Sequence, residues 1–516
     1  MSSTMNRPAA AGFRGAMRTA VAAGAAFLAI ATACSRGDPG RPVLGASTPA
    51  PRPDVATVVK PPDPVPAVDF AKVSKLINDA IAANKLPGAV VVIGHGGKVA
   101  FHHAYGSRKL AGEPGLDGLP APAEPMTEDT IFDLASLTKS LATATAVMQL
   151  YEQGKVAFDD LVQQYLPEFN TANDPRRAAV TVRMLLTHTS GETGDVNLGD
   201  PWGLDHADKR EGIHRALATP LESAPGGGFR YSDINFILLG ALIEKVTGEA
   251  LDAYVQRHVF EPLGMEDTHY LPPAQACGSH TTLGAATAWA PAPQGRTPDA
   301  CPAGTWSTGL LPRIAPTARD EEGRADPVKN PDLDHLLRGT VQDTTARRMG
   351  GVAGHAGVFS TAHDVSMFSQ ALLDRLAGRP SQFPLAQTTL ELMTSPQQPG
   401  HTPAQLKAAN DAAQEAVAKR PNKTDPLLAP RYPAIAGQNL RGFGWDIDTG
   451  QSTPRGAIFP IGSFGHTGFT GTSVWMDPRS DTYVVLLSNS IHTRGSPPMS
   501  NLRGEVATAT AQALRL

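Results

Sequence analysis

The sequence predicts an α/β (α+β) fold in which one antiparallel sheet, flanked by terminal helices, is interrupted by a large, mostly helical lobe. Three observations predict it. Strand-like runs stand near both ends of the folded region, at Ala89 to Gly94 and Val99 to Tyr105, and again at Thr472 to Met476 and Tyr483 to Ser488. Helical apolar spacing flanks them, in Phe70, Val73, Leu76, Ile77, Ala80 and Ile81 before the first strand and from Asn501 to Leu514 after the last. Between the two ends the patterned segments are helical, which an inserted lobe requires.

Taken in chain order, the elements begin with an export signal. Arg7, Arg14 and Arg18 precede an apolar stretch from Thr19 to Ala33, with no acid before Asp38, and the stretch is too short to span a bilayer comfortably. Residues 1–33 are read as a signal peptide. The small triplet Ala31-Thr32-Ala33 directly before Cys34 resembles the bacterial lipoprotein signal, so Cys34 is expected to be lipidated and to anchor the protein to a membrane, facing the periplasm or the cell exterior. Ala31 stands where that pattern usually has Leu, and simple cleavage after Ala33 is the alternative. Residues 34–66, dominated by Pro, Ala, Gly and Asp, read as a tether, and 67–516 as the folded domain. Within it the first helix stops at Pro87-Gly88, and Gly96-Gly97 turns a hairpin. Leu141 to Gln153, Val182 to Leu186 and Ile234 to Val246 are helices of the lobe, the last apolar nearly all round before Gly248. Segments 274–334 and 396–439 lack sustained periodicity and read as surface insertions. Export places Cys277 and Cys301 in an oxidising compartment, where a disulfide closing their Pro/Gly/Ala-rich loop is expected. The sequence does not show that the two ends approach, so two free thiols remain open.

With 41% hydrophobic and 18% charged residues and a net charge of −4, the chain reads as a soluble globular protein, and the lack of a basic stripe argues against nucleic acid as a partner. No histidines show metal-ligand spacing, so neither a metal nor a cofactor is expected.

Ser136-Leu137-Thr138-Lys139, at the mouth of an Ala-rich run, sets a hydroxyl one helical turn from an amine, which activates a serine without a histidine. The free N–H groups of a helix start favour the alkoxide and are expected to help keep the lysine pKa low. Pro225-Gly226-Gly227-Gly228 presents Phe229-Arg230-Tyr231-Ser232-Asp233 just before the apolar helix. A tyrosine there acts as a base only beside a cation such as Lys139; read locally, Tyr231 is a packing residue whose hydroxyl meets water. Gly465-His466-Thr467-Gly468-Phe469-Thr470-Gly471 leads into a strand, and the N–H groups of Phe469 and Ser136 would together form a two-donor oxyanion hole. A Gly-rich turn with a solvated histidine explains that stretch equally well in isolation. His355, in a glycine turn ahead of the helix cap Thr361 to Asp364, is expected to be structural.

The three elements in this order resemble the serine β-lactamase and penicillin-binding protein superfamily, closest to its class C β-lactamase-like group, which also holds D-alanyl-D-alanine carboxypeptidases, D-aminopeptidases and esterases. Thr130 to Ala135, Leu185 to Gly191, Tyr231 to Gly240 and Gly350 to Thr361 extend the likeness, which covers Ala67 to Leu516 outside the insertions. The resemblance implies a β-lactamase/transpeptidase-like fold and an acyl-enzyme on Ser136, with Lys139 and Tyr231 shuttling its proton. It implies that Asp233, His466, Thr467 and Gly468 line the substrate site. His466 stands where many members have Lys, and Asp233 where class C enzymes have Asn. A carboxylate cannot donate the amide's hydrogen bond, so peptidase or esterase activity is expected ahead of dedicated β-lactamase activity. The expected substrate is a small molecule or a cell-wall peptide ending in a D-amino acid, with a carboxylesterase and a non-catalytic wall-binding lipoprotein as the rivals.

Overall fold

The computed structural model describes residues 68–288, 301–322, 333–398 and 439–516 except 497, with a few single residues between them. These belong to one compact unit, Pro66–Leu516. The leader, Cys34 and nearly all of 399–438 lie outside the described residues.

An eight-stranded antiparallel sheet is built from both ends of the domain. Its early strands are β1 (Gly88–His95), β2 (Lys98–Lys109) and β3 (Glu124–Pro125). Its late strands are β4 (Leu440–Arg441), β5 (Asp446–Asp448), β6 (Phe464–Thr467), β7 (Ser473–Asp477) and β8 (Thr482–Ser488). The order is β4-β5-β6-β7-β8-β1-β2-β3, so the two ends meet where β1 pairs with β8 over Ala89↔Ser488 to His95↔Thr482.

Side chains alternate across a strand, and both faces of this sheet are covered. From β1, Val90 and Val92 enter one core, while Ala89, Val91 and Ile93 enter the other. In β8, Val485 and Leu487 join the first, and Val484 and Leu486 the second. Two-sided burial explains why these strands read as continuous apolar runs rather than alternating ones. At roughly 1.5–3 kcal/mol for each fully buried Val, Leu or Ile, these strands contribute to both cores at once.

The second core is closed by the terminal helices. In α1 (Ala71–Ala82) the buried residues Val73, Ile77 and Ala80 form one stripe. In α5 (Ser500–Ala513), Val506, Ala507 and Ala509 pack on the same side. The first core is shared with the helical lobe, through α2 (Thr145–Glu152), α3 (Asp233–Thr247) and α4 (Ala362–Leu376). Residues 234–243 of α3 are all buried, and the helix ends at Gly248, whose φ of 73° suits glycine.

Two local expectations differ. The helix expected at Leu141 begins with a π-helical turn, Lys139–Ala144, where Thr145 Oγ1 donates to Ser140 O at 3.0 Å. Such turns carry one residue more per hydrogen-bonded ring, and sequence periodicity does not reveal them. Part of the 274–334 segment is core rather than surface. Trp306, Leu311 and Ile314 are buried, Trp306 Nε1 donates to Pro272 O at 2.9 Å, and Ala315 N donates to Ile131 O at 2.9 Å. Trp306 lies in a two-residue strand, Trp306–Ser307, and Leu311 in a short 3-10 helix, Thr308–Arg313, elements too short for their apolar character to leave a period. The structure joins Cys277 and Cys301 as a disulfide with a Cα–Cα distance of 5.8 Å.

Candidate active site

A short strand, Ile131–Asp133, pairs with Val358–Thr361 and delivers the chain to Ser136. The turn between them is tight: Ala135 has a φ of 47°, a left-handed conformation costing a non-glycine residue roughly 1–2 kcal/mol. Asp133 holds it, accepting Ala135 N at 2.9 Å and Gln342 N at 2.7 Å, and burial pushes this carboxyl up to about 6 against those two bonds. From 131 to 140 only Ser136 is not fully buried. The strand therefore offers one hydroxyl to the solvent side, at the first turn of a helix.

Lys139 is fully buried, and its Nζ faces three oxygens: Ser136 Oγ at 3.1 Å, His355 O at 3.0 Å and Asp233 Oδ1 at 2.6 Å. It also lies 5.0 Å from the centre of the Tyr231 ring. Burial alone would lower the lysine pKa, but the charges of Asp233 and Tyr231 and their hydrogen bonds outweigh it, and the pKa is raised. The low lysine pKa expected from a helix start is thus corrected: Lys139 is an ammonium. The reason is Asp233, which is expected to line the substrate site and is in addition the counter-ion of Lys139.

Tyr231 lies beside the pair, and its interactions with Lys139 and Ser136 favour its ionised form. Burial raises its pKa, Lys139 opposes that rise, and Asp233 reinforces it. Its ring stacks on His188, with centroids 4.5 Å apart at 27°. His188 has no metal-ligand spacing, and it sits in the Leu185 to Gly191 stretch that carries the resemblance. Its Nδ1 accepts Ser232 N at 3.1 Å, fixing the start of α3, and burial followed by the charges of Arg441 and Lys139 holds its pKa well below the ordinary range. The imidazole is therefore a neutral platform under the tyrosine.

The loop after β6 closes the site. Thr470 Oγ1 donates to Asp133 O at 2.7 Å and Thr472 Oγ1 to Leu134 O at 3.0 Å, seating the loop against the strand before Ser136. Gly468 is required there, since a Cβ would stand 2.4 Å from Leu134 O. Among the described residues neither the Ser136 N–H nor the Phe469 N–H donates a hydrogen bond, and the Phe469 side chain is 72% exposed. Thr467 is partly exposed, but His466 is buried, donating from Nδ1 to Thr467 O at 2.8 Å. Burial, then the charges of Arg441 and Lys139, hold its pKa well below the ordinary range, so it brings no positive charge to the place where the resemblance has Lys. His355, read as structural, contributes more than packing: its carbonyl binds Lys139, and its Nε2 pairs with Asp343 Oδ1 at 2.8 Å.

This arrangement of a serine bonded to a buried lysine, a tyrosine ring beside that lysine, and two free N–H groups is suited to acyl transfer. Comparisons agree. The chain is 28% identical over 428 residues to an Escherichia coli O157:H7 protein provisionally named D-alanyl-D-alanine carboxypeptidase, covering 80% of this chain and 81% of that one. It is 29% identical over 442 residues to the N-acetylmuramyl-L-alanine amidase of Bacillus subtilis (strain 168), covering 83% of each. A class C beta-lactamase from Rhodobacter sphaeroides superposes over 86% of this chain and 99% of its own with a TM-score of 0.54 at 17% identity, which speaks for the fold. A family model described as Beta-lactamase matches residues 73–507, and the chain belongs to that family of serine hydrolases.

Proposed function

We propose that the protein is an exported amidohydrolase that cleaves cell-wall peptides through an acyl-enzyme on Ser136. The observation that carries this reading is the 3.1 Å bond from the buried Lys139 to Ser136 Oγ, with the Tyr231 ring 5.0 Å from the same Nζ. Ser136 Oγ attacks the scissile carbonyl, and its proton passes to the Tyr231 oxygen, whose anionic form the Lys139 ammonium stabilises. The carbonyl oxygen becomes the oxyanion between the N–H groups of Ser136 and Phe469. When the C–N bond breaks, Tyr231 returns the proton to the departing amine, and water then repeats the sequence to release the acid. Lys139, held by Asp233, acts here as a fixed cation rather than as a shuttling base.

The first substrate reading is a D,D-carboxypeptidase, in line with the first relative. A second is favoured by the neutral, buried His466: this side chain offers no positive charge to a free carboxylate beside the scissile bond, so an internal amide, such as that between a muramyl lactyl group and L-alanine, is accommodated equally well. Thr19 to Ala33 followed by Cys34 supports export with a lipid anchor, and mass analysis of the mature N-terminus tests it.

Intact-protein mass with benzylpenicillin, on wild type and Ser136→Ala, tests the nucleophile: a lasting adduct on wild type alone is expected. D-alanine release from a pentapeptide and peptide release from a muramyl peptide then separate the two readings. Ester cleavage without either product would support the esterase instead, and activity unchanged in Ser136→Ala would overturn the mechanism.

A further inference from the structure

Arg503, on α5, is the feature that the mechanism above leaves unused. It is 8% exposed, and among the described residues it pairs with no carboxylate. A buried guanidinium without a counter-charge is costly, and burial lowers its pKa to about 10. What it does bind is two backbone carbonyls of the loop that closes the site: Nη2 donates to Gly468 O at 2.7 Å and to Thr472 O at 2.9 Å. Gly468 N in turn donates to Thr472 O at 2.8 Å, and Gly471 N to Gly468 O at 3.2 Å, so one guanidinium nitrogen ties together both ends of the 468–472 turn.

The carbonyl of Gly468 and the N–H of Phe469 are two ends of one peptide group. A cationic donor on the oxygen draws electron density from that group and makes its N–H a stronger donor, as in any chain of polarising hydrogen bonds. We infer that Arg503 is a positioning residue for the oxyanion hole, which fixes and polarises the Gly468–Phe469 peptide so that the Phe469 N–H meets the developing oxyanion both correctly aimed and strengthened. The inference rests on the acyl-enzyme reading of Ser136. It also explains why a charge is retained on the first turns of α5: an apolar residue would fill the space but would leave the two carbonyls to each other's repulsion.

The test uses an alkyl fluorophosphonate, in which Ser136 Oγ forms a bond to phosphorus, fluoride leaves, the proton passes to Tyr231, and the phosphoryl oxygen takes the oxyanion position. In Arg503→Met the second-order rate of Ser136 modification is expected to fall roughly tenfold to a hundredfold, somewhat less than the loss of a whole oxyanion donor. Arg503→Lys, which keeps the charge but not the fork, should recover part of that rate. With p-nitrophenyl acetate the loss should fall on kcat and leave KM nearly unchanged, and the 15N–1H resonance of Phe469 should move upfield in both variants, further in the methionine. If Arg503→Met does not fold, Arg503→Lys and its Phe469 resonance decide the matter alone. A wild-type rate in Arg503→Met, or in Arg503→Lys an unmoved Phe469 resonance, overturns the inference while leaving the acyl-enzyme intact. A wild-type protein that the fluorophosphonate does not modify, or modifies in Ser136→Ala as well, overturns the acyl-enzyme and the inference with it.

Discussion

Two buried cations flank the nucleophile, and their surroundings are opposite. Lys139, on the helical lobe, has a carboxylate at 2.6 Å and holds its proton more tightly than an exposed lysine does. Arg503, on the terminal helix behind the sheet, has only carbonyls, and its affinity for its proton is reduced. The difference follows from side-chain chemistry. An amine buried without a counter-ion loses its proton readily, so a lysine kept as an ammonium needs Asp233. A guanidinium starts so far above neutral pH that it can lose some affinity and still be charged. The compensated cation is thereby suited to holding nearby oxygens in place, and the uncompensated one to projecting a field through a peptide group.

Lys139→Met should break the comparison most severely, lowering acylation of Ser136 by at least about a thousandfold, in the range of losing a member of a catalytic unit. Stopped-flow acylation with benzylpenicillin or an active ester measures it, and a loss below tenfold would contradict a Lys139 role in the chemistry. Asp233→Asn should come next. Removing one partner of a buried pair costs about 3 kcal/mol, measured by denaturant unfolding. Because Asp233 raises the pKa of Tyr231, its loss should also lower it, provided that Lys139 remains charged. The base is the deprotonated tyrosine, so the wild-type acylation rate should still be rising with pH above neutrality, and in Asp233→Asn that limb should move to lower pH. A limb that moved upward, or not at all, would show that Asp233 acts only on the fold.

Much of this site was legible because sequence-local pieces carry it. Ser136 and Lys139 are one turn apart, Tyr231 and Asp233 stand two residues apart where the chain enters α3, and Phe469 follows Gly468 directly. What was not legible depends on distance along the chain. The partner of Lys139 is Asp233, close to a hundred residues away, and nothing local marks an acidic residue at that position as the counter-ion of a lysine. Arg503 lies in a helix whose pattern is that of small buried residues, and nothing local marks its guanidinium as facing a loop more than thirty residues earlier. The sheet was legible for a different reason: two-sided burial makes β1 and β8 unbroken apolar runs, whereas the buried Trp306 and Ile314 sit in or beside elements too short to show a period.

The smallest effect sharpens the same rule for an anion. Glu192, in the loop that carries His188, is fully buried; Arg177 is its nearest ionic partner at 3.9 Å, and neither carboxyl oxygen has a hydrogen bond. Burial pushes its pKa up to about 7, with Arg177 pulling the other way. Compared with Asp233 it is a carboxylate whose cation stands too far away. The folded protein binds a proton there that the unfolded chain releases near 4.5, so stability attributable to this residue falls as pH rises from about 4.5 to about 7 and stays low above it. Glu192→Gln removes the charge and with it that slope. The variant should match the wild type near pH 4.5 and exceed it by about 2 kcal/mol at pH 8, a figure taken from a shift of this size after allowance for relaxation of the site. Urea unfolding at the two pH values measures it. A variant less stable than the wild type at pH 8 would mean that Arg177 compensates Glu192 after all, and that a separation of 3.9 Å is close enough to hold a buried charge in this protein.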